Sequence, residues 1–324
     1  MRSYAIIGCG GIGGYYGGLL QRAGHPTCFL LRSDWAHVRR HGLDIRSKNG
    51  NFRLRPVRAC RRPEDMPPCD VAIVALKATE NARLSAVLPP WVSERPCTVV
   101  LLQNGLNQEA HVAAAAPRSR VIGGLCFVCS IKAGPGLIRH LDYGRVALAD
   151  YRPDRRPGVS SALRRVATDF ERAGIPVACA PDLYAARWHK LMWNIPFNGL
   201  SALLLSDTRQ LLALPETAEL CRELMRETAR GARACGAPIR PGFANAMMAD
   251  TAVMKPYATS MLLDRKRKRP MEVDAIYGEP LRDAARHGCR LPRMDMLYRQ
   301  LVWLDSRHAS ERSDRRKRIR RPIS

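Results

Sequence analysis

Between Gly8 and Gly13 the chain reads Gly-Cys-Gly-Gly-Ile-Gly, a G-x-G-x-x-G run. An apolar strand, Ser3 to Gly8, leads into it, a helix from about Gly11 to Ala23 leaves it, and a second strand, Pro26 to Leu31, follows. That order restricts the fold more than any other stretch, because it is the strand–turn–helix context of a dinucleotide-binding unit. Gly8 permits the tight turn, Gly10 lets the backbone approach a pyrophosphate, and Gly13 lets the helix pack close to the sheet. The free N–H groups of Gly11, Ile12 and Gly13 at the helix start suit a phosphate, and Cys9 lies within the same loop. The second strand ends on Leu31-Arg32-Ser33-Asp34. An arginine there accommodates a ribose 2′-phosphate, where an acidic residue would take the 2′-hydroxyl. Arg32 therefore predicts NADPH as the cofactor, and Asp34 is read as the cap of the helix WAHVRRHG.

Further strands are expected at Asn51 to Ala59, Cys69 to Leu76, Thr98 to Leu102 and Val121 to Phe127, with a hairpin over Gly136 to Ala149. Two of the apolar runs open into polar residues, Lys77 after the one and Gln103-Asn104-Gly105 after the other. Ligands of open α/β sheets bind at such carboxyl ends. A helix is expected at Ser160 to Ala173 and a short strand at Ile175 to Cys179. Beyond Pro181 the strand patterns stop. Helices are expected at Leu183 to Leu205, Pro215 to Cys235, Gly242 to Met254, Val273 to His287 and Met294 to Leu304. The fold class is therefore α/β, a Rossmann-type dinucleotide-binding domain followed by an all-helical one. The expected boundaries are 1–180, 181–305 and a basic, disordered tail over 306–324.

In the first of those helices Lys190, Asn194 and Asn198 recur at steps of four, which places them on one face. Pro196 removes a backbone donor there and should kink the helix. One ammonium and two carboxamides in an otherwise apolar segment read either as a solvated stripe or as a donor row for a substrate, with Lys190 as the proton source.

The formal net charge of +24 is spread unevenly, with basic blocks at Arg265 to Arg269 and in the segment after Asp305. Such blocks can bind nucleic acid, but nothing between them resembles a nucleic-acid module, so no nucleic-acid partner is expected. No apolar run approaches the ~18 residues of a membrane span, so no membrane partner is expected either. The eleven cysteines are scattered and odd in number, which reads as reduced thiols of a cytoplasmic protein. Cys126 and Cys129 form a lone CxxC with no second pair, and no metal site is expected. The sequence does not fix the oligomeric state, and a homodimer is compatible with it.

GCGGIG, the Leu-Arg after the second strand, ALKA at 75–78, QNG at 103–105, RWHKLMWNIPFNGLSAL, TSMLLD and MEVD fall in one order. In that combination the chain resembles the ketopantoate reductase family up to about Leu304. The resemblance implies an N-terminal Rossmann-type domain, a C-terminal helical domain and an active site in the cleft between them. It also implies NADPH-dependent reduction of the small 2-oxo acid 2-dehydropantoate to pantoate, on the route to pantothenate and coenzyme A. By the same resemblance Lys190 is the catalytic lysine and Glu272 the active-site acid. Asn194, Asn198 and Ser260 match substrate-binding positions, and Asn104 the asparagine near nicotinamide and substrate. Lys77 matches the lysine beside the cofactor. Gly8, Gly10, Gly13 and Arg32 match cofactor positions. Tyr257 departs from the family pattern, standing where an asparagine is usual. Two rivals remain: a reductase of another 2-oxo acid, and a non-catalytic NADP-binding sensor.

Overall fold

The computed structural model describes residues 1–320, with side chains through residue 308. The chain divides into two compact units, Met1–Leu183 and Tyr184–Ser324. The first is an α/β unit built on a mixed ten-stranded sheet, and the second is helical, which is the fold class expected.

The strands of the first unit are β1 Tyr4–Ile7, β2 Thr27–Leu30, β3 Leu43–Ser47, β4 Phe52–Leu54, β5 Arg58–Cys60, β6 Val71–Val74, β7 Thr98–Leu101, β8 Arg120–Gly134, β9 Leu137–Asp150 and β10 Val177–Cys179. Six of them run parallel in the order β5-β2-β1-β6-β7-β8. That is the doubly wound order, whose ligands bind beyond the carboxyl ends of the central strands. Strands buried on both faces need continuous apolar sequence, and β1 and β6 (YAII and VAIV) are buried at every position. Tyr4, Ile6 and Ile73 point into one core with Tyr16, Leu20 and Phe29. Ala5, Ile7, Ala72 and Val74 point into the other with Leu84, Trp91 and Val112.

Helices α1 Gly11–Arg22, α2 Trp35–His41, α3 Leu84–Val87, α4 Pro90–Glu94, α5 Gln108–Ala115 and α6 Ser161–Arg172 cover the sheet. Ser160 caps α6, its hydroxyl accepting the Leu163 N–H at 3.1 Å. Three expectations need correction. The single strand read over residues 51–59 is two, β4 and β5, interrupted at Arg55-Pro56 because proline cannot donate to a ladder. The hairpin read within residues 136–149 is one strand, β9, paired antiparallel along β8. The Asp-Tyr-Gly that resembles a turn is a bulge, where Tyr143 has φ +59° and the register shifts. Asp34 stands at the start of α2 without capping it. Its carboxylate instead pairs with the Lys132 ammonium at 2.7 Å and accepts the Gly136 N–H at 3.1 Å. A charged donor outcompetes a neutral amide for the same oxygen.

The second unit contains α7 Leu183–Leu204, α8 Thr208–Ala213, α9 Pro215–Ala234, α10 Phe243–Val253, α11 Ser260–Lys266, α12 Glu279–Arg286 and α13 Pro292–Arg320. A π-helical segment, Asp274–Gly278, runs directly into α12. Helix α7 is the core of this unit: Trp188, Leu191, Met192, Ile195 and Phe197 are all buried. The short helices α8 and α11 were not expected. Asp207 and Gln210 close α8 with a capping box, and Thr259 caps α11. The last helix was expected to stop at Leu304; its backbone continues to Arg320, through most of the segment read as a tail, and residues 321–324 lie outside the described residues. In the basic block the guanidinium of Arg265 donates to the carbonyls of Ala202 and Leu203, the latter at 2.7 Å. Arg269 pairs with Asp264 at 2.9 Å. Part of that charge therefore closes the end of α7. No described helix is long and apolar enough to cross a membrane.

Candidate active-site residues in the two units

In the first unit the sheet register brings the predicted nucleotide residues to one edge. Ile7 pairs with both Leu30 and Val74, and Val74 with Leu101. The segments that follow these four residues carry Gly8 to Gly13, Arg32, Lys77 and Asn104 in turn. Gly8 has φ +98°, a conformation open to glycine at little cost. A Cβ on Gly13 would stand 2.1 Å from the Gly8 carbonyl oxygen, so only glycine lets α1 start this close to the turn. Around Gly10 the opposite holds: a Cβ would meet nothing within 4 Å. The loop is therefore tight against the sheet at its ends and open at its middle, which fits a dinucleotide pyrophosphate. Cys9 contributes backbone only. Its side chain is buried, and burial pushes the thiol up to about 12.

Arg32 is exposed, whereas Lys77 and Asn104 are half-buried. Behind Asn104 runs a chain of carboxamides that periodicity did not disclose. Gln103 donates to Asn81 at 2.7 Å, Asn81 to Gln108 at 2.7 Å, and Gln108 to the Leu106 carbonyl at 2.6 Å. Gln103 and Gln108 are almost fully buried. Buried and mutually bonded amides fix the loop after β7 in one conformation. The only signal in the sequence was the QNG triplet. Asn81 lies in a short 3₁₀ turn, Ala78–Arg83, too brief for a periodic pattern.

In the second unit Lys190, Asn194 and Asn198 lie along α7 as the spacing requires. Lys190 is half-buried; Asn194 and Asn198 are 6% and 3% exposed. A solvated stripe would not look like this, since burying an amide is costly unless its hydrogen bonds are satisfied. Two contacts assemble the neighbouring turns around this row. Ser201 donates to the Asn198 carbonyl at 3.1 Å, and its oxygen lies 2.5 Å from that of Thr259. Thr259 precedes Ser260, which is exposed at the first position of α11. The hydroxyl of Tyr277, within the π-helical segment, donates to the Ile195 carbonyl at 2.8 Å. Glu272 enters that segment, 8% exposed, its carbonyl accepting the Ile276 N–H at 3.1 Å. Pro196 sits inside α7, beside the carbonyl that Tyr277 engages.

Cys126 and Cys129 lie on β8 on either side of a register shift. Among the described residues no group of three or more His, Cys, Asp or Glu side chains could hold a metal ion.

The family model described as "Ketopantoate reductase PanE/ApbA" matches residues 4–153, and that described as "Ketopantoate reductase PanE/ApbA C terminal" matches residues 182–302. The chain belongs to the ketopantoate reductase family. It is 45% identical over 308 residues to the 2-dehydropantoate 2-reductase of Nostoc sp., a match covering 95% of this chain and 96% of that one. The crystal structure of 2-dehydropantoate 2-reductase from Geobacter metallireducens superposes with a TM-score of 0.88 at 39% identity, covering 93% of this chain and 99% of that one. A D-mandelate dehydrogenase bound to NADH and anilino(oxo)acetate shares the fold, with a TM-score of 0.82 at 18% identity and coverage of 95% and 99%.

Tyr257, the departure from the ketopantoate reductase pattern, is half-buried with its ring 6.2 Å from that of Trp193 on α7. Trp193 in turn stacks on Phe197 at 5.0 Å. Thr208 fixes the Tyr257 backbone, its hydroxyl accepting the Tyr257 N–H at 3.1 Å and its own N–H reaching the Tyr257 carbonyl at 3.2 Å.

Proposed function

We infer that the chain reduces 2-dehydropantoate to (R)-pantoate with NADPH as the reductant and Lys190 as the general acid. The observation that carries this reading is the donor row of α7, half-buried Lys190 with buried Asn194 and Asn198, in a chain of this family. A bound nicotinamide supplies the hydride.

The first unit binds and orients that cofactor. The backbone N–H groups of Gly11, Ile12 and Gly13 meet the pyrophosphate at the start of α1, with Gly8, Cys9 and Gly10 shaping the loop before it. Arg32 meets the 2′-phosphate, and Asp34, the next acid along the chain, is already committed to Lys132 and Gly136. An NADH-type ribose site uses a carboxylate at the end of this strand, and the one that follows Arg32 here is engaged elsewhere. Lys77 and Asn104 flank the cofactor at the ends of β6 and β7.

The second unit acts on the ketone. Negative charge develops on the C2 oxygen as the hydride arrives. The Lys190 ammonium stabilises that charge and gives up its proton to the oxygen. Asn194, Asn198 and Ser260 hold the carboxylate and hydroxyl of the substrate. Glu272 positions Lys190 or the substrate hydroxyl. All eleven cysteines are thiols, none joined in a disulfide, which suits a reducing compartment, and we place the enzyme in the cytoplasm.

A second reading, reduction of a different 2-oxo acid, is favoured by Tyr257 alone. Its ring, beside Trp193, makes that side aromatic where the usual family residue is an amide. NADPH oxidation, followed by nicotinamide absorbance with 2-dehydropantoate and a panel of other 2-oxo acids, separates the two. Fast oxidation confined to 2-dehydropantoate supports the first reading. Activity only on a bulkier or aromatic 2-oxo acid replaces it with the second.

A further inference from the structure

At the sheet edge where Arg32 leaves β2, the neighbouring strand ends on a second arginine that the glycine-loop motif does not include. Strand β5 is the parallel neighbour of β2, with Leu30 opposite Cys60, and the Leu31 N–H donates to the Cys60 carbonyl at 2.9 Å. The chain leaves β5 as Arg61-Arg62 at the same edge where β2 leaves as Arg32. Adjacent strands are about 5 Å apart, so the backbones of Arg61 and of Leu31-Arg32 run side by side.

The two arginines after β5 differ in their partners. Arg62 forks onto Asp65, with Nε at 3.1 Å and Nη2 at 2.7 Å. Arg61 and Arg32 are both exposed, and among the described residues neither has a carboxylate partner. Asp34, which could have neutralised one of them, is held by Lys132 and Gly136. Two long, exposed guanidinium side chains that leave adjacent strands at one sheet edge can converge on a single anion, and a phosphate monoester carries up to two charges and three acceptor oxygens. The geometry points to Arg61 as a second ligand of the ribose 2′-phosphate, sharing it with Arg32. This inference rests on the reading that the cofactor is NADPH, and it assigns a specificity residue to an element, β5, outside the strand–turn–helix–strand motif.

The test is the dissociation constant for NADPH and for NADH, measured by nicotinamide fluorescence on the full chain. Wild type, Arg61→Ala, Arg61→Lys, Arg32→Ala and Arg62→Ala are compared, with a thermal melt of each to verify folding. A charge-assisted bond to phosphate predicts that Arg61→Ala lowers the NADPH-over-NADH preference about tenfold, with NADH affinity little changed. Arg61→Lys, which keeps the charge, restores part of the preference, and Arg62→Ala preserves it. If the wild type prefers NADPH and Arg61→Ala prefers it equally, the role of Arg61 is overturned and the cofactor reading stands. If the wild type does not distinguish the two cofactors, the NADPH reading itself falls, and the role of Arg61 with it.

Discussion

The hydroxyl oxygens of Ser201 and Thr259 lie 2.5 Å apart, and a directed set of hydrogen bonds runs through them. The Leu262 N–H donates to Thr259 at 3.2 Å, Thr259 donates to Ser201, and Ser201 donates to the Asn198 carbonyl at 3.1 Å. Both side chains are fully buried. The start of α11, and with it Ser260, is thereby tied to the turn of α7 that carries Asn198. Ser201→Ala strands a buried donor and should destabilise the protein by about 1–3 kcal/mol. If Ser260 binds substrate, the KM for 2-dehydropantoate should rise more than kcat falls. Denaturant melts and steady-state kinetics check both. An unchanged KM in a destabilised variant would separate Ser260 from substrate binding.

The glycine loop gives a second prediction. Gly13→Ala drives a methyl group to within 2.1 Å of the Gly8 carbonyl oxygen, where backbone must move. Overpacking of this kind costs about 1–3 kcal/mol, and the displaced loop should also weaken NADPH binding. Gly10→Ala meets no protein atom, so it should fold normally and lose cofactor affinity alone. Measuring stability and NADPH affinity for both variants tells the two roles apart. A Gly10→Ala variant with unchanged NADPH affinity would contradict the placement of the pyrophosphate over that residue.

Stability should also depend on pH through His140. Its ring stacks on Tyr15 at 4.2 Å, accepts from the Ser47 hydroxyl at 2.8 Å, and sends its other N–H to the carbonyls of Asp142 (3.1 Å) and Tyr143 (3.0 Å). Burial first, with the Lys48 charge adding to it, holds this imidazole below its usual 6.5, against the opposing pull of those carbonyls and of the Asp142 carboxylate. The unfolded chain therefore binds a proton that the folded chain resists. The stability from a neutral His140 is present above about pH 6.5 and declines as pH falls below it. Replacing His140 with Gln should flatten that part of the stability–pH curve measured by denaturant melts. A curve of unchanged slope would assign the acid sensitivity to other groups.

What the sequence disclosed and what it hid follow from the range of the interactions. The strand–turn–helix at Gly8 to Gly13 is local, so its glycines announce it. The row on α7 is visible because four-residue spacing survives in a long helix. Asp34 was misread because its partner Lys132 is distant in sequence, and that charge comes near through the pairing of β9 with both β8 and β3. Residues 136–149 look like a hairpin and are one strand because the bulge at Asp142-Tyr143-Gly144, with its positive φ, uses the residue types of a turn. Helix α11 went unseen because seven residues give too short a period, and its cap, Thr259, becomes meaningful only beside Ser201. Arg61 carries no motif at all. Only the order of the strands brings it to the edge where Arg32 leaves β2.

The central claim is that Lys190 delivers the proton to the ketone. Its most direct test is the turnover of Lys190→Ala with NADPH and 2-dehydropantoate, read beside the NADPH dissociation constant of the same variant. Loss of a general acid predicts a fall in kcat of about a hundredfold or more, with NADPH affinity nearly unchanged. A variant that turns over at the wild-type rate would contradict the account, and the polar row of α7 would then serve binding or folding alone.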